Sequence, residues 1–175
     1  MTLQLGAEAP PFDLPGVDGR HHALSDYSGV PVLAVVWSCN HCPYVQAWEG
    51  RMKQIQADYS DRGFRLVAIN SNDADAYPED SFPAMQERAR RQGFNFEYLY
   101  DADQSVLRAY GAERTPEVFL FDGDRRLVYH GAIDDSRNDD AVTSHWLRDA
   151  IDAVLAHRQP NPAETMPVGC TVKFR

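Results

Sequence analysis

Two cysteines separated by two residues carry the strongest chemical signal in the sequence. Cys39 and Cys42 lie in the segment WSCNHCPYV, residues 37–45, with His41 between them and a proline directly after them. Such a pair can be a redox couple, half of a zinc site or two thiols buried for packing. These three interpretations require different surroundings, so the elements on either side of the pair help to decide between them.

The elements around the pair place it between a buried strand and a helix. The preceding run VLAVVW, residues 32–37, is continuously apolar and β-branched, which is typical of a strand buried on both faces. Downstream, apolar residues recur at alternating steps of three and four, as on one face of a helix: Val45, Trp48, Met52, Ile55 and Tyr59. We therefore expect the cysteines at the N-terminal end of a helix, where free amides and the helix dipole stabilise a thiolate.

This position assigns different roles to the two sulfurs. Cys39 precedes the helix and is expected to be the more exposed, attacking sulfur, whereas Cys42 lies in the first turn and resolves the mixed disulfide. His41 can add positive charge when it is protonated, which favours the thiolate further. Trp37 and Asn40 are the remaining candidates for tuning or orienting the pair, although a tryptophan in this position most often packs.

A zinc site is the main competing interpretation. It usually requires two cysteine pairs or a matching histidine pair, and the chain offers only Cys170 as a further thiol. One of His21, His22 and His41 could complete a Cys₃His set. The shortage of further ligands disfavours zinc, and simple burial is disfavoured because Asn, His and Pro beside the pair are not typical core residues, so redox chemistry is the favoured interpretation. Cys170 itself can be a resolving thiol or a small hydrophobe tucked under the C-terminal tail.

The composition excludes several classes of partner. The net charge is −9, from 26 acidic and 17 basic residues, and the basic residues are scattered. Neither nucleic acid nor an anionic membrane is therefore an expected partner. No apolar run reaches the length of a membrane span and the N-terminal residues do not resemble a signal peptide, so we expect a cytoplasmic protein. Three cysteines in a reducing compartment argue against a structural disulfide framework.

The order of elements predicts an α/β fold in one domain, residues 1–175. A hairpin-like extension over residues 1–30 precedes a core over residues 31–158 and a tail over residues 159–175. Within the core the patterns indicate β–α–β, a helical insertion over residues 71–95, and then α–β–β–α. The first half needs a parallel crossover and the second ends in a hairpin, so we expect a mixed sheet with helices on both faces.

Capping signals give the expected helix boundaries. Ser81 can cap a helix that has Pro83 in its first turn and ends at Gly93. Asp101 and Gln104 resemble a capping box at the start of a short helix. The last helix is expected to bury one face, made of Val142, Trp146, Leu147, Ala150, Ile151, Val154 and Leu155.

The segment WSCNHC at a strand end and helix start resembles the active site of the thioredoxin superfamily. The second hallmark of that superfamily is a cis-proline facing the cysteines, and the segment ERTPEVFLFD supplies Thr115–Pro116 at the corresponding place. The arm APPFDLPGVDG and the insertion resemble the peroxiredoxin-like branch, which includes redoxins and relatives of alkyl hydroperoxide reductase. The motif CNHCP together with the tail GCTVKF is similar to bacterial members of that branch that carry a thioredoxin-type CxxC.

The resemblance implies a three-layer thioredoxin-like fold and thiol–disulfide exchange with a protein or a small thiol. Cys39 would attack, Cys42 would close the intramolecular bridge, and Thr115 and Pro116 would border the groove for an extended substrate. No organic cofactor is required, and a thioredoxin-type protein is a candidate electron donor. The sequence leaves the oligomeric state open.

Some residues depart from the family pattern. Leu33 stands where thioredoxin has a buried acid; Glu117 could replace that acid, but a solvated glutamate at a strand edge is the favoured interpretation. Peroxiredoxins have Thr or Ser three residues before the reactive cysteine, where this chain has Val36, and Arg114 is the nearest candidate for their arginine. A peroxidase is thus the second-ranked enzyme function.

A group of acids late in the chain is expected to be a solvated loop rather than a cation site, because it lacks regular ligand spacing. The group comprises Asp134, Asp135, Asp139 and Asp140.

Overall fold

A computed structural model describes residues 1–175 and contains nine strands and four α-helices. The strands are β1 (Asp13–Pro15), β2 (His21–Ala23), β3 (Val32–Trp37), β4 (Phe64–Asn70), β5 (Glu97–Tyr100), β6 (Arg114–Thr115), β7 (Glu117–Phe121), β8 (Leu127–Gly131) and β9 (Cys170–Thr171). The helices are α1 (Pro43–Tyr59), α2 (Phe82–Gln92), α3 (Ser105–Tyr110) and α4 (Trp146–Leu155). None of these helices combines the length and the apolar character that crossing a bilayer requires.

The central sheet is mixed, as the order of elements predicts. Its five strands run in the order β5-β4-β3-β7-β8. Strand β3 pairs parallel with β4 and antiparallel with β7, and β7 forms a hairpin with β8. The C-terminal end of β3, where the cysteines follow, therefore lies between two neighbouring strands in the middle of the sheet.

The two faces of β3 belong to two separate cores, which explains its continuously apolar sequence. Val32, Ala34 and Val36 pack with side chains of α1, α2 and α4 on one face. Leu33 and Val35 pack with α3 and the N-terminal arm on the other. Helices on both faces of the sheet confirm the predicted three-layer arrangement.

Most of the expected helix ends are confirmed. The Ser81 hydroxyl accepts a hydrogen bond from the Ala84 N–H at 3.3 Å, and Gly93 ends α2 with φ of 63°. The Asp101 carboxylate caps α3 by accepting from Val106 N–H and Leu107 N–H, at 3.3 Å and 2.9 Å. The expected reciprocal partner, Gln104, takes no part in a capping box.

The last helix begins later than its apolar pattern predicts. It begins at Trp146, so Val142 lies outside it. The Asp135 carboxylate accepts the Thr143 N–H at 2.9 Å and also bonds the Thr143 hydroxyl. Because these bonds hold the chain in a loop up to Thr143, the expected first turn does not form.

Candidate active site

The strand arrangement brings the cysteine motif and the Thr115–Pro116 segment together. Cys39 follows β3, and the Thr115–Pro116 peptide, which is cis, precedes β7. Because β3 and β7 are paired, with Trp37 opposite Glu117, both segments emerge at the same edge of the sheet. The cis bond that the family resemblance implies is confirmed.

The disulfide in the structure joins Cys42 to Cys170, with their Cα atoms 6.3 Å apart. Cys39 remains a free thiol. The Cys39 sulfur lies 3.7 Å from the Thr115 hydroxyl, and the Cys42 sulfur lies 3.7 Å from the Thr115 carbonyl oxygen. All three cysteine residues therefore meet beside Thr115, and the interpretation of Cys170 as a residue that only packs is wrong.

The expected difference in exposure between Cys39 and Cys42 is wrong. Each residue is 1% exposed. The reason is the tail strand β9, which pairs antiparallel with β6 so that Cys170 lies opposite Thr115. The edge that the resemblance assigns to an extended substrate is occupied by the protein's own C-terminal segment.

The prediction that the Cys39 thiolate is stabilised is also wrong for this state. Burial, followed by the negative charge of Asp80, raises the pKa of the Cys39 thiol to about 12. The Thr115 hydroxyl and the N–H groups of Cys42 and His41 act in the opposite direction, but they are weaker. Burial and the charge of Asp80 thus outweigh the stabilisation of the thiolate by the hydrogen-bond donors at the start of the helix.

Asp80 is the site residue that the sequence does not reveal. It ends a short 3₁₀ turn, Pro78–Asp80, in the insertion, and it is fully buried. One carboxylate oxygen accepts from Asn40 N–H at 2.7 Å, and the other lies 2.5 Å from Nδ1 of His41 and 2.9 Å from the Asn72 amide nitrogen. In sequence it is one aspartate of a polar loop, SNDADAYPED, and nothing local distinguishes it.

The two residues between the cysteines are held in place by the insertion and its neighbours. The His41 ring is about 29% exposed and stacks on Tyr77, with ring centroids 5.8 Å apart. The Asn40 side chain donates to the Glu79 carbonyl oxygen at 2.9 Å and accepts from the Tyr98 hydroxyl at 2.8 Å. These contacts hold the Asn40 and His41 side chains beside the cysteines, and a role of the two residues in tuning or orienting the pair stays a prediction.

Trp37 packs in the core. It is fully buried, its ring lies 4.9 Å from that of Tyr110, and its indole N–H donates to the Ser71 hydroxyl at 3.0 Å. The Ser71 hydroxyl in turn donates to Asp101 at 2.7 Å. These contacts tie the end of β3 to α3, which is the packing role that a tryptophan in this position most often has.

Glu117 is not the solvated strand-edge residue that we expect from sequence. It is 2% exposed, because β7 lies inside the sheet between β3 and β8. One oxygen accepts from the N–H groups of Glu113 and Arg114, each at 2.9 Å, and the other lies 2.6 Å from Nε2 of His130. One oxygen therefore holds the turn before Pro116, and the other joins β7 to His130 of β8.

The two positions that correspond to peroxide-binding residues of peroxiredoxins are also engaged elsewhere. Val36 is buried in the core beneath α1. The Arg114 guanidinium donates to the Thr171 hydroxyl at 2.7 Å, which joins β6 to the tail. Neither residue supplies Cys39 with a peroxide-binding group in this arrangement.

The acidic group late in the chain is solvated only in part. Asp134 is 4% exposed, accepts from the Trp48 indole N–H at 2.9 Å and pairs with the Arg51 guanidinium at 2.6 Å. The interpretation as a solvated loop is thus wrong for Asp134 and confirmed for Asp139 and Asp140, which are exposed.

The expected ligands of a zinc site are dispersed. His21 pairs with Asp13 at 3.0 Å and His22 with Asp18 at 2.9 Å, both in the N-terminal hairpin. Ligand atoms of Cys39, His41 and Asp80 do lie within 4.8 Å of one another. However, the bond between the other two cysteines removes two of the three thiolates that a Cys₃His set needs.

The fold and the site together define a thioredoxin-like class of protein. A CxxC motif at the junction of a central strand and a helix faces a cis-proline at the same sheet edge. The solved structure of a putative thioredoxin from Neisseria meningitidis superposes with a TM-score of 0.67 over 85% of this chain and 89% of that one. At 22% identity this likeness concerns the fold alone.

Within that class, the chain belongs to the AhpC/TSA family, whose family model matches residues 5–130. A crystal structure of a hypothetical protein from Sinorhizobium meliloti 1021 is 39% identical and has a TM-score of 0.94, covering 100% of this chain and 97% of that one. Its similarity extends through the C-terminal tail.

A curated relative is similar over a shorter region. Thiol-disulfide oxidoreductase ResA of Geobacillus thermodenitrificans is 30% identical over 123 residues, which is 69% of this chain. The matched region spans 65% of the length of that relative.

Proposed function

We propose that this protein is a thiol–disulfide oxidoreductase in which Cys39 and Cys42 are the catalytic sulfurs. The observation that carries the proposal is a free thiol at Cys39 and a disulfide at Cys42, both in contact with Thr115 beside a cis-proline. A thiol placed beside a disulfide is the arrangement that disulfide exchange needs. The similarity to a relative named as a thiol-disulfide oxidoreductase supports the same activity.

The reaction starts from the form with reduced cysteines. The Cys39 thiolate attacks one sulfur of an external disulfide, a mixed disulfide forms, and the other substrate sulfur leaves as a thiolate that takes up a proton. Cys42 then attacks Cys39, which releases the second substrate thiolate and leaves a Cys39–Cys42 disulfide. Two electrons pass from the protein to the substrate, and the reverse sequence oxidises a dithiol.

The substrate class follows from the covered site. An extended polypeptide can pair with Thr115 only after β9 has left that edge, whereas a small disulfide needs less room. Both protein and low-molecular-weight disulfides remain within the proposal, and a thioredoxin-type protein remains a candidate electron donor. A cytoplasmic location, expected from the sequence, belongs to the same proposal.

The test is an exchange assay with oxidised glutathione and with a disulfide-bonded peptide as separate substrates. We expect Cys39→Ser and Cys42→Ser each to reduce the rate of thiol release at least tenfold. Ser60→Ala, which removes one hydroxyl at the far end of the helix region, is the control and should leave the rate unchanged. Wild-type rates in both cysteine variants would refute the proposal.

A further inference from the structure

Cys170 is the accessible end of the disulfide in the structure. Cys39 and Cys42 are each 1% exposed, whereas Cys170 is partly exposed at the surface of the tail. Val168, just before it, is 52% exposed. An external thiol that approaches the oxidised protein therefore meets residue Cys170 before it meets either residue of the CxxC motif.

The segment that carries Cys170 is anchored on both sides. Upstream, the Thr165 N–H donates to the His130 carbonyl oxygen at 3.0 Å. Downstream, the Val172 N–H donates to the Glu113 carbonyl oxygen at 3.0 Å, and Val172 is 2% exposed. The tail is thus an ordered part of the site, and its hydrogen bonds hold Cys170 next to Thr115.

Gly169 permits this close approach. A Cβ atom at this position would lie 2.0 Å from the Thr115 carbonyl oxygen and 2.6 Å from its carbonyl carbon. Any other residue at this position would force β9 away from β6. The tail backbone at Gly169 therefore packs directly against the Thr115 carbonyl group, with no room for a side chain between them.

We propose that Cys170 is a third catalytic thiol, which passes a disulfide between the covered Cys39–Cys42 pair and an external thiol. The inference rests on the proposed function, because it extends the same exchange reaction by one step. It assigns the tail a chemical role in turnover and identifies an external thiol as the reductant that reacts at Cys170.

The internal step is an exchange without net oxidation. In one direction, the Cys170 thiolate attacks the Cys42 sulfur of a Cys39–Cys42 disulfide, the Cys42–Cys170 bond forms, and Cys39 leaves as a thiolate. The proton that Cys170 gives up is balanced by the proton that Cys39 takes up. The product is the arrangement in the structure, with a protonated, buried Cys39.

The external step returns the protein to its reduced form. A thiolate attacks the Cys170 sulfur, forms a mixed disulfide and releases the Cys42 thiolate. A second thiolate attacks the external sulfur of that mixed disulfide and releases Cys170. One protein disulfide and two external thiols have become one protein dithiol and one external disulfide, so the electrons balance.

Peptide mapping distinguishes the two protein disulfides. Trypsin leaves Cys39 and Cys42 on one peptide, residues 21–51, and Cys170 on another, residues 159–173. A Cys42–Cys170 bond joins the two peptides, whereas a Cys39–Cys42 bond makes the first peptide two hydrogens lighter. Reduced wild-type protein is treated with one equivalent of oxidised glutathione and quenched with acid and N-ethylmaleimide at successive times.

We expect the Cys39–Cys42 form first and the joined peptides at the end point. We expect Gly169→Ala to shift the end point towards the Cys39–Cys42 form, whereas Gly50→Ala, at a helix position with open space around it, should leave the end point unchanged. An end point that contains only the Cys39–Cys42 form, or one that Gly169→Ala does not shift, would overturn the proposal.

A turnover measurement distinguishes a failure of the proposed Cys170 step from a failure of the proposed function. With reduced glutathione as the final reductant, Cys170→Ser should lower steady-state turnover at least fivefold while the first, single-turnover release of substrate thiol stays within twofold of wild type. Met166→Ala, on the same tail but with a side chain that is 79% exposed, should match wild type in both. If Cys170→Ser turns over at the wild-type rate and Cys39→Ser is inactive, the catalytic role of Cys170 is refuted and the proposed function stands. If Cys39→Ser is active, the proposed function itself is refuted.

Discussion

The carboxylate of Asp80 lies 2.5 Å from Nδ1 of His41, and the Cys39 sulfur belongs to the same cluster, within 4.8 Å. These residues come from two segments, the CxxC loop and the insertion before α2. The contact places a buried negative charge beside the sulfur that the proposed reaction uses as its nucleophile.

Replacing Asp80 should change the reactivity of Cys39. In Asp80→Asn the negative charge is removed while one acceptor for the Asn40 N–H is kept, so the pKa of the Cys39 thiol should fall towards its ordinary value. At a pH below the pKa, each unit by which the pKa falls raises the thiolate fraction about tenfold. We expect iodoacetamide to react several-fold faster at pH 8, measured in a Cys42→Ser/Cys170→Ser background in which Cys39 is the only thiol.

The control for this experiment is Glu79→Gln in the same background. Glu79 is the neighbouring acid but is exposed to solvent, so its loss should leave the rate within twofold. An Asp80→Asn variant that is folded and reacts at the unchanged rate would show that Asp80 does not act on Cys39.

The raised pKa of Cys39 should also make stability depend on pH. Because the folded-state pKa of about 12 exceeds the value in the unfolded chain, the unfolded state loses its proton first as the pH rises. The stabilising contribution is complete below the unfolded-state pKa and is lost as the pH rises towards the folded-state pKa. In the single-thiol background, the free energy of unfolding should fall by roughly 1–2 kcal/mol between pH 8 and pH 10.

The matched variant for this measurement replaces Cys39 by alanine in the same background. Urea unfolding at several pH values should show a flatter dependence in that variant, because tyrosines and other groups contribute equally to both proteins. Parallel curves for the two proteins would contradict the account of a buried, neutral thiol.

Glu117 should contribute to stability through its buried contacts. Glu117→Gln weakens the pairing with His130 and exchanges a carboxylate that accepts two backbone N–H groups for an amide. We expect a loss of about 1–3 kcal/mol in urea unfolding, the range for a perturbed buried hydrogen-bonded charge. Glu164→Gln is the control, since Glu164 lies 3.8 Å from the other His130 nitrogen but is 64% exposed, and it should cost less than about 0.5 kcal/mol.

Hydrogen peroxide should be a poor oxidant of the reduced protein. The raised pKa of Cys39 reduces the thiolate that peroxide needs, and Arg114 is bound to Thr171. We expect the second-order rate constant for peroxide to be no larger than that for oxidised glutathione. A tenfold preference for peroxide, with a sulfenic acid on Cys39, would instead favour the peroxidase function.

The sequence predicts the fold well because its signals are local and consistent with one another. The apolar run of β3, the helical period of α1 and the Ser81 cap each act over a few residues, and each forms as expected. The family resemblance adds Thr115–Pro116, which no local propensity would identify as cis.

The features that the sequence does not predict depend on contacts between distant segments. Asp80 approaches His41 across 39 positions, and Cys170 reaches Cys42 across 128. The exposure expected for Cys39 and for Glu117 is wrong for the same reason, because the tail covers Cys39 and neighbouring strands enclose Glu117. Composition and periodicity carry no information about which loop covers which strand end.

The most direct test of the central claim is whether Cys39 and Cys42 can form a disulfide with each other when Cys170 is absent. Cys170→Ser is equilibrated with glutathione buffers of increasing oxidised fraction and then quenched, and the peptide of residues 21–51 is weighed. We expect one reversible two-electron transition in which this peptide loses two hydrogens. A peptide that keeps both thiols, or that carries only glutathione adducts, throughout the range would contradict it.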